Sequence, residues 1–153
     1  MEKILRGKAY GNLGNGIQKQ SLLYLNEILA DCRARGITVI GFMPPILYEL
    51  QHNLKSWEES RGFWQQYPDV LRAIFAKYHY QVFDFTDPHT AEPHADADYF
   101  VDPIHGGEGL YGKILLKMGE NQEARDTLSP YVDFSQLKAD LAVDRPPNFV
   151  FGN

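Results

Sequence analysis

From Ile17 onward the apolar positions recur at helical spacing. Ile17, Leu25, Ile28 or Leu29 and Cys32 fall toward one side, with Ser21 on that buried side. The pattern stops at Gly36, just after Arg33 and Arg35. Cations suit the negative end of a helix, and glycine tolerates the left-handed residue that commonly closes one. Ile37 to Met43 then reads Ile-Thr-Val-Ile-Gly-Phe-Met, closed by Pro44 and Pro45. A continuous apolar run of that length predicts a strand buried on both faces, as in a parallel sheet covered by helices.

A polar stretch follows, and the order then repeats. Pro68 and Asp69 open a helical pattern carried by Val70, Leu71, Ile74, Phe75 and Tyr78. Tyr80 to Phe85 reads as a second strand, ended by Thr86, Asp87 and Pro88. A helix is expected from about Glu108 to Met118, and another over Phe134 to Val143 with Asp133 as its cap. The ending RPPNFVFGN reads as extended. This alternation predicts a three-layer α/β fold, with helices around a mostly parallel sheet. Residues 1–16 form an irregular N-terminal segment, 17–120 the α/β body, and 121–153 a helix with an extended tail. Two strands make a small sheet, and parallel strands expect neighbours on both sides. Further strands, the other half of a larger domain, or a second copy would supply them.

Composition narrows the function classes. A chain of 153 residues with 44% hydrophobic positions suits one domain with a core of its own. A net charge of −5 gives no basic footprint, which argues against nucleic acid or an anionic membrane as partner. No run approaches the roughly 20 apolar residues of a membrane helix, and the opening MEKILRGKAYGNLGNG lacks the apolar core of a signal peptide. Cys32 stands alone, so no intramolecular disulfide is possible and the compartment is left open. The expectation is a soluble, acidic protein of unknown localisation.

The chemistry concentrates in YFVDPIHGGEGLYGKILLKM. Asp102 and His105 lie between the second strand and a helix, where ligands and catalytic groups gather in open α/β sheets. A carboxylate close to a histidine holds one imidazole tautomer and stabilises the imidazolium. The glycines at 106, 107 and 109 keep the surroundings uncrowded. The plainer reading is an Asp-Pro turn in which Asp102 caps the following segment.

The order VIGFMPP, helix, QVFDFTD, then Asp-x-x-His followed by glycine and a helix resembles the C-terminal portion of the SGNH/GDSL hydrolases, including their polysaccharide O-acetyltransferase relatives. The likeness covers roughly Gln18 to Met118. It implies an incomplete, flavodoxin-like sheet, with His105 as general base and Asp102 as its orienting partner in a Ser-His-Asp triad. It further implies a small-molecule or carbohydrate ester as substrate and no cofactor. The Gly-Asp-Ser block that carries the family's nucleophile has no counterpart here. None of Ser21, Ser56, Ser60, Ser129 and Ser135 follows a strand on a tight turn, and Ser129 precedes Pro130. Asn12 and Asn15 echo the family's oxyanion asparagine, without the strand expected before it. The resemblance thus implies the C-terminal half of a serine esterase or acyltransferase whose first half lies upstream, inactive alone. The alternative is a non-catalytic binding or assembly domain, including a homodimer.

Other signals carry less. GNLGNG is a loop rather than a phosphate cradle, since no strand precedes it. Asp87, His89, Glu92, His94, Asp96 and Asp98 offer metal-ligand types, but their spacing matches no site, and a solvated acidic loop is expected with no metal. Trp57, Phe63, Trp64 and Tyr67 cluster ahead of the second helix. Trp57 and Trp64 are candidates for stacking on a sugar, although packing is the commoner use of such rings. His52 and His79 read as surface or boundary residues.

Overall fold

The computed structural model describes residues 16–143. It is a mixed helix and strand protein with one small parallel and one small antiparallel sheet. The elements are α1 (Lys19–Ala34), β1 (Ile40–Met43), α2 (Tyr48–Ser56), α3 (Glu58–Lys77), β2 (Gln81–Asp84), β3 (Phe100–Asp102), β4 (His105–Gly106), α4 (Glu108–Met118), α5 (Gln122–Leu128) and α6 (Phe134–Leu141). Strand β1 pairs with β2, and β3 with β4. Asn12, Asn15 and the ending RPPNFVFGN lie outside the described residues. The described chain divides into two compact units, with boundaries at 41/42, 48/49 and 82/83.

The first unit is built on α1, α3 and the leading halves of β1 and β2. Helix α1 ends as its sequence predicts. Gly36 adopts φ +69°, its N–H donates to Arg33 O (3.2 Å), and Ile37 N–H donates to Cys32 O (2.9 Å). This paired closure satisfies two terminal carbonyls. Ile37 is then occupied at both backbone groups, since its carbonyl accepts from the Tyr80 hydroxyl at 2.6 Å. Strand β1 therefore starts only at Ile40, later than the apolar run suggested. The core joins Leu29, Phe75 and Tyr80, with Leu25, Cys32, Val39, Ile74, Tyr78 and Val82 against it. Gly41 permits this closeness: a Cβ there would stand 2.6 Å from the Phe75 ring.

Two expectations are corrected, and a stretch left unassigned proves helical. Strand β1 is not buried on both faces: Phe42 is 41% exposed, and all four residues of β2 are half-buried. A two-stranded sheet leaves strand faces and edges partly uncovered. The polar stretch before Pro68 is helical, with Leu50, Gln51 and Leu54 forming the buried face of α2. Pro68 lies inside α3 rather than at its start. A proline inside a helix costs roughly 3 kcal/mol. Here the stripe Trp64, Tyr67, Leu71, Ile74 and Phe75 continues across it at helical spacing, and burying that stripe offsets the local loss.

The second unit centres on Met43, Phe85, Phe100, Leu110, Ile114 and Met118, all buried. Helix α4 packs on α6, where Leu137 and Leu141 approach Gly112. Asp133 caps α6 as expected, its Oδ1 accepting from the N–H groups of Ser135 (3.0 Å) and Gln136 (2.9 Å). The short α5 had no strong apolar signature; Asn121 starts it by accepting from Ala124 N–H.

Candidate functional site

Asp102 ends β3 and His105 begins β4, so the DPIH segment is the tight turn of a small antiparallel hairpin in which the two residues face each other. Proline after the acid presets the turn, and the acid closes it. Asp102 Oδ1 accepts from the N–H groups of Ile104 (2.9 Å) and His105 (3.0 Å). The other oxygen, Oδ2, lies 2.7 Å from His105 Nδ1. Capping and histidine orientation are therefore one arrangement rather than competing readings. An ionised carboxylate only accepts, so Nδ1 carries the proton and Nε2 is left for other chemistry. The His105 side chain is 65% exposed and that of Asp102 45%, so the pair is open to a reacting partner. The hydrogen bond from the His105 ring, followed by those from the backbone, holds the Asp102 carboxyl below the usual aspartate value.

A second acid-histidine pair stands on the neighbouring loop. Asp87 Oδ1 accepts from His89 N–H (3.0 Å) and lies 3.0 Å from His89 Nδ1. The His89 imidazole meets the Tyr48 ring edge-on, with centroids 5.1 Å apart. Two consecutive amides in the segment after β1 connect the loops: Ile46 N–H donates to Thr86 O (3.3 Å) and Leu47 N–H to Pro103 O (3.0 Å). In the sequence Asp87 and His89 stand out only as metal-ligand types. Their pairing was readable from the Asp-x-His spacing, but the Tyr48 contact is long-range and was not.

The acidic loop is more structured than expected. Asp96, Asp98 and His94 are exposed, whereas Glu92 is buried and ion-paired with Lys113 of α4. Lys113 also lies over the Tyr99 ring, its Nζ 5.5 Å from the centroid. Among the described residues no group of three or more His, Cys, Asp or Glu side chains is placed to hold a metal ion.

The remaining candidates separate. Trp64 is buried against Phe63 and Tyr67, and its indole N–H has no acceptor among the described residues; the ring serves packing. Trp57 is half-buried at the start of α3, its carbonyl accepting from Ser60 and Arg61 N–H. Both tryptophans belong to the first unit, and the Asp102–His105 pair to the second. Ser21 is exposed rather than on the buried side of α1, because the residues facing the core are Leu25, Leu29 and Cys32. It borders a cavity of about 280 Å³ lined also by Leu22, Leu25, Phe63, Tyr67 and Leu71. Ser56, Ser60 and Ser129 each donate to a backbone carbonyl. Among the described residues no serine hydroxyl is hydrogen-bonded to His105. His52 is exposed, and exposed His79 occupies a left-handed backbone position with φ +59°.

No helix among the described residues is long and apolar enough to cross a membrane. Comparison with family models, with curated proteins and with solved structures finds no match for the chain.

Proposed function

We propose that this chain supplies the histidine-aspartate half of an SGNH-type serine esterase or acyltransferase, acting on the O-acyl group of a small molecule or carbohydrate. The observation that carries the reading is Asp102 Oδ2 at 2.7 Å from His105 Nδ1, on an exposed turn. Such a pair leaves Nε2 as the only ring atom able to take a proton. A serine hydroxyl adds to the acyl carbon while His105 Nε2 accepts its proton. The tetrahedral adduct collapses, the alcohol departs with that proton, and the acyl group stays on the serine. Water or an acceptor hydroxyl then attacks the acyl carbon and gives its proton to the same nitrogen. The adduct expels the serine oxygen, which takes that proton back, and the acyl group leaves as the acid or the new ester. Asp102 keeps the ring oriented throughout.

In this reading the serine comes from a segment outside this chain, and the isolated chain is inactive. The fold is an incomplete three-layer, flavodoxin-like α/β sheet, to which that segment adds strands. No cofactor enters the chemistry. Fluorophosphonate labelling read by intact mass tests it. The isolated chain should not be labelled. A longer protein from the same reading frame, carrying a Gly-Asp-Ser block, should be labelled, and His105→Ala should abolish this. Labelling that survives the substitution sinks the proposal.

One observation favours a second reading, a non-catalytic domain that assembles with a partner or with a second copy. Leu23, Tyr24 and Ile28 of α1 are all exposed, an apolar face that association would cover. Sedimentation velocity on the wild type and on Ile28→Glu tests it; association that ignores the substitution removes this support.

A further inference from the structure

We infer that His89, fixed by Asp87 and flanked by Tyr48, forms a hydroxyl-binding subsite for a neutral sugar or polyol beside the Asp102–His105 pair. Its role in a reaction rests on the esterase reading above; its role in binding does not.

The amides of Ile46 and Leu47 are consecutive, and they donate to the carbonyls of Thr86 and Pro103. Thr86 directly precedes Asp87, and Pro103 directly follows Asp102. One short segment thus pins the two acid-histidine loops to itself, and Tyr48 is the next residue along it. This places His89 and Tyr48 in the neighbourhood of His105 within a single unit.

The chemistry of the pair selects the ligand. The Asp87 carboxylate can only accept, so Nδ1 of His89 carries the proton and Nε2 is the remaining polar atom of the ring. Neutral imidazole presents a lone pair there, and imidazolium presents a donor. A hydroxyl satisfies both forms, because it donates and accepts equally well. Asp87 supplies the countercharge, which makes the pair a poor site for an anion. The Tyr48 side chain is partly exposed and meets His89 edge-on. A partly exposed ring beside one oriented polar atom suits a flat, C–H-rich, hydroxylated ligand such as a sugar ring. The simpler function of Asp87, starting the 3₁₀ turn at Pro88, needs only its bond to the His89 N–H. It requires neither the imidazole contact nor the partly exposed Tyr48.

The test is histidine-detected 15N NMR on the whole chain, titrated with cellotriose, maltotriose, chitotriose and glycerol. In the free protein His89 should show the Nδ1–H tautomer, and Asp87→Asn should give a tautomer mixture. At least one saccharide should shift the His89 Nε2 signal saturably in the millimolar range. Tyr48→Ala should weaken that binding at least tenfold, while Lys138→Ala on the exposed face of α6 leaves it unchanged; circular dichroism verifies that both variants fold. If none of the four ligands moves His89, or Tyr48→Ala has no effect, the subsite is refuted whatever the labelling result. Binding without fluorophosphonate labelling in the longer protein would retain the subsite and discard the esterase.

Discussion

Asp102 engages His105 through both carboxylate oxygens, one on the backbone N–H at 3.0 Å and the other on ring Nδ1 at 2.7 Å. Substituting Asp102 should therefore affect the turn and the tautomer together. Asp102→Asn can still accept at one atom but no longer demands the proton on Nδ1. The His105 15N shifts should change from one tautomer to a mixture. In a complete serine enzyme the same change should cost on the order of 10⁴-fold in turnover. An unchanged tautomer would show that the carboxylate does not set it.

The acid side of this pair gives a signed pH prediction. The hydrogen bond from the His105 ring is the main cause of the depressed Asp102 carboxyl value. A depressed folded-state value means that the interaction contributes fully above the ordinary aspartate value. It is lost as the pH falls through the lowered one. The carboxyl 13C signal of Asp102 should thus titrate below the ordinary range, and His105→Ala should move it back up. No upward movement would mean that the backbone N–H groups alone hold it down.

A second pH-dependent contact lies in the acidic loop. Burial pushes the Glu92 carboxyl up, but the hydrogen bond and charge of Lys113 and the N–H of His94 outweigh it, for a net lowering. The pair should stabilise the fold above the ordinary glutamate value and fade as the pH drops through the lowered one. Lys113→Met leaves a buried carboxylate without its cation and should cost about 1–3 kcal/mol at pH 7. Urea unfolding should show this gap narrowing in acid, and Glu92→Gln added to Lys113→Met should recover part of it. A gap that stays constant with pH would rule out the ionised pair as its source.

The local devices were legible in the sequence because their physics is local. Gly36 behind two arginines, Asp133 before an apolar periodicity and Asp102 before Pro103 each form their structure within a few residues. What could not be read depends on distant partners. Helix α3 runs through Pro68 because burial of an aromatic and aliphatic stripe outweighs a local breaker. Glu92 looks solvated until Lys113 of α4 is placed beside it. The hairpin β3–β4 is too short for an alternation signal, yet it sets the Asp102–His105 geometry.

His79 continues this theme, since an ordinary-looking surface histidine occupies a backbone position that favours glycine. It follows α3 with φ +59°, its N–H donates to Ala76 O, and Tyr80 N–H donates to Phe75 O. The same closure at the end of α1 uses Gly36. The left-handed conformation costs an L-residue roughly 1–2 kcal/mol, partly offset by the greater chain entropy that glycine loses. His79→Gly should therefore raise stability by about 0.5–1 kcal/mol, read as a higher urea midpoint with unchanged slope. A lower midpoint would show that the imidazole makes a contribution exceeding its backbone strain.

Gly41 makes the opposite prediction in the same unit. A methyl group there would stand 2.6 Å from two Phe75 ring carbons and 3.3 Å from a Val82 methyl. Phe75 is a core member, held by Leu29 and Tyr80, and cannot swing aside into solvent. Gly41→Ala should thus cost about 1–3 kcal/mol through overpacking, measured by urea unfolding. Phe75→Leu on that background should return some of the loss, because the shorter side chain vacates the space the methyl needs. Phe75→Leu alone should destabilise, so the two substitutions must be non-additive in the favourable direction. Strict additivity would mean that the strand shifts away from α3 instead, and that the close approach at Gly41 is not what sets the packing of this core.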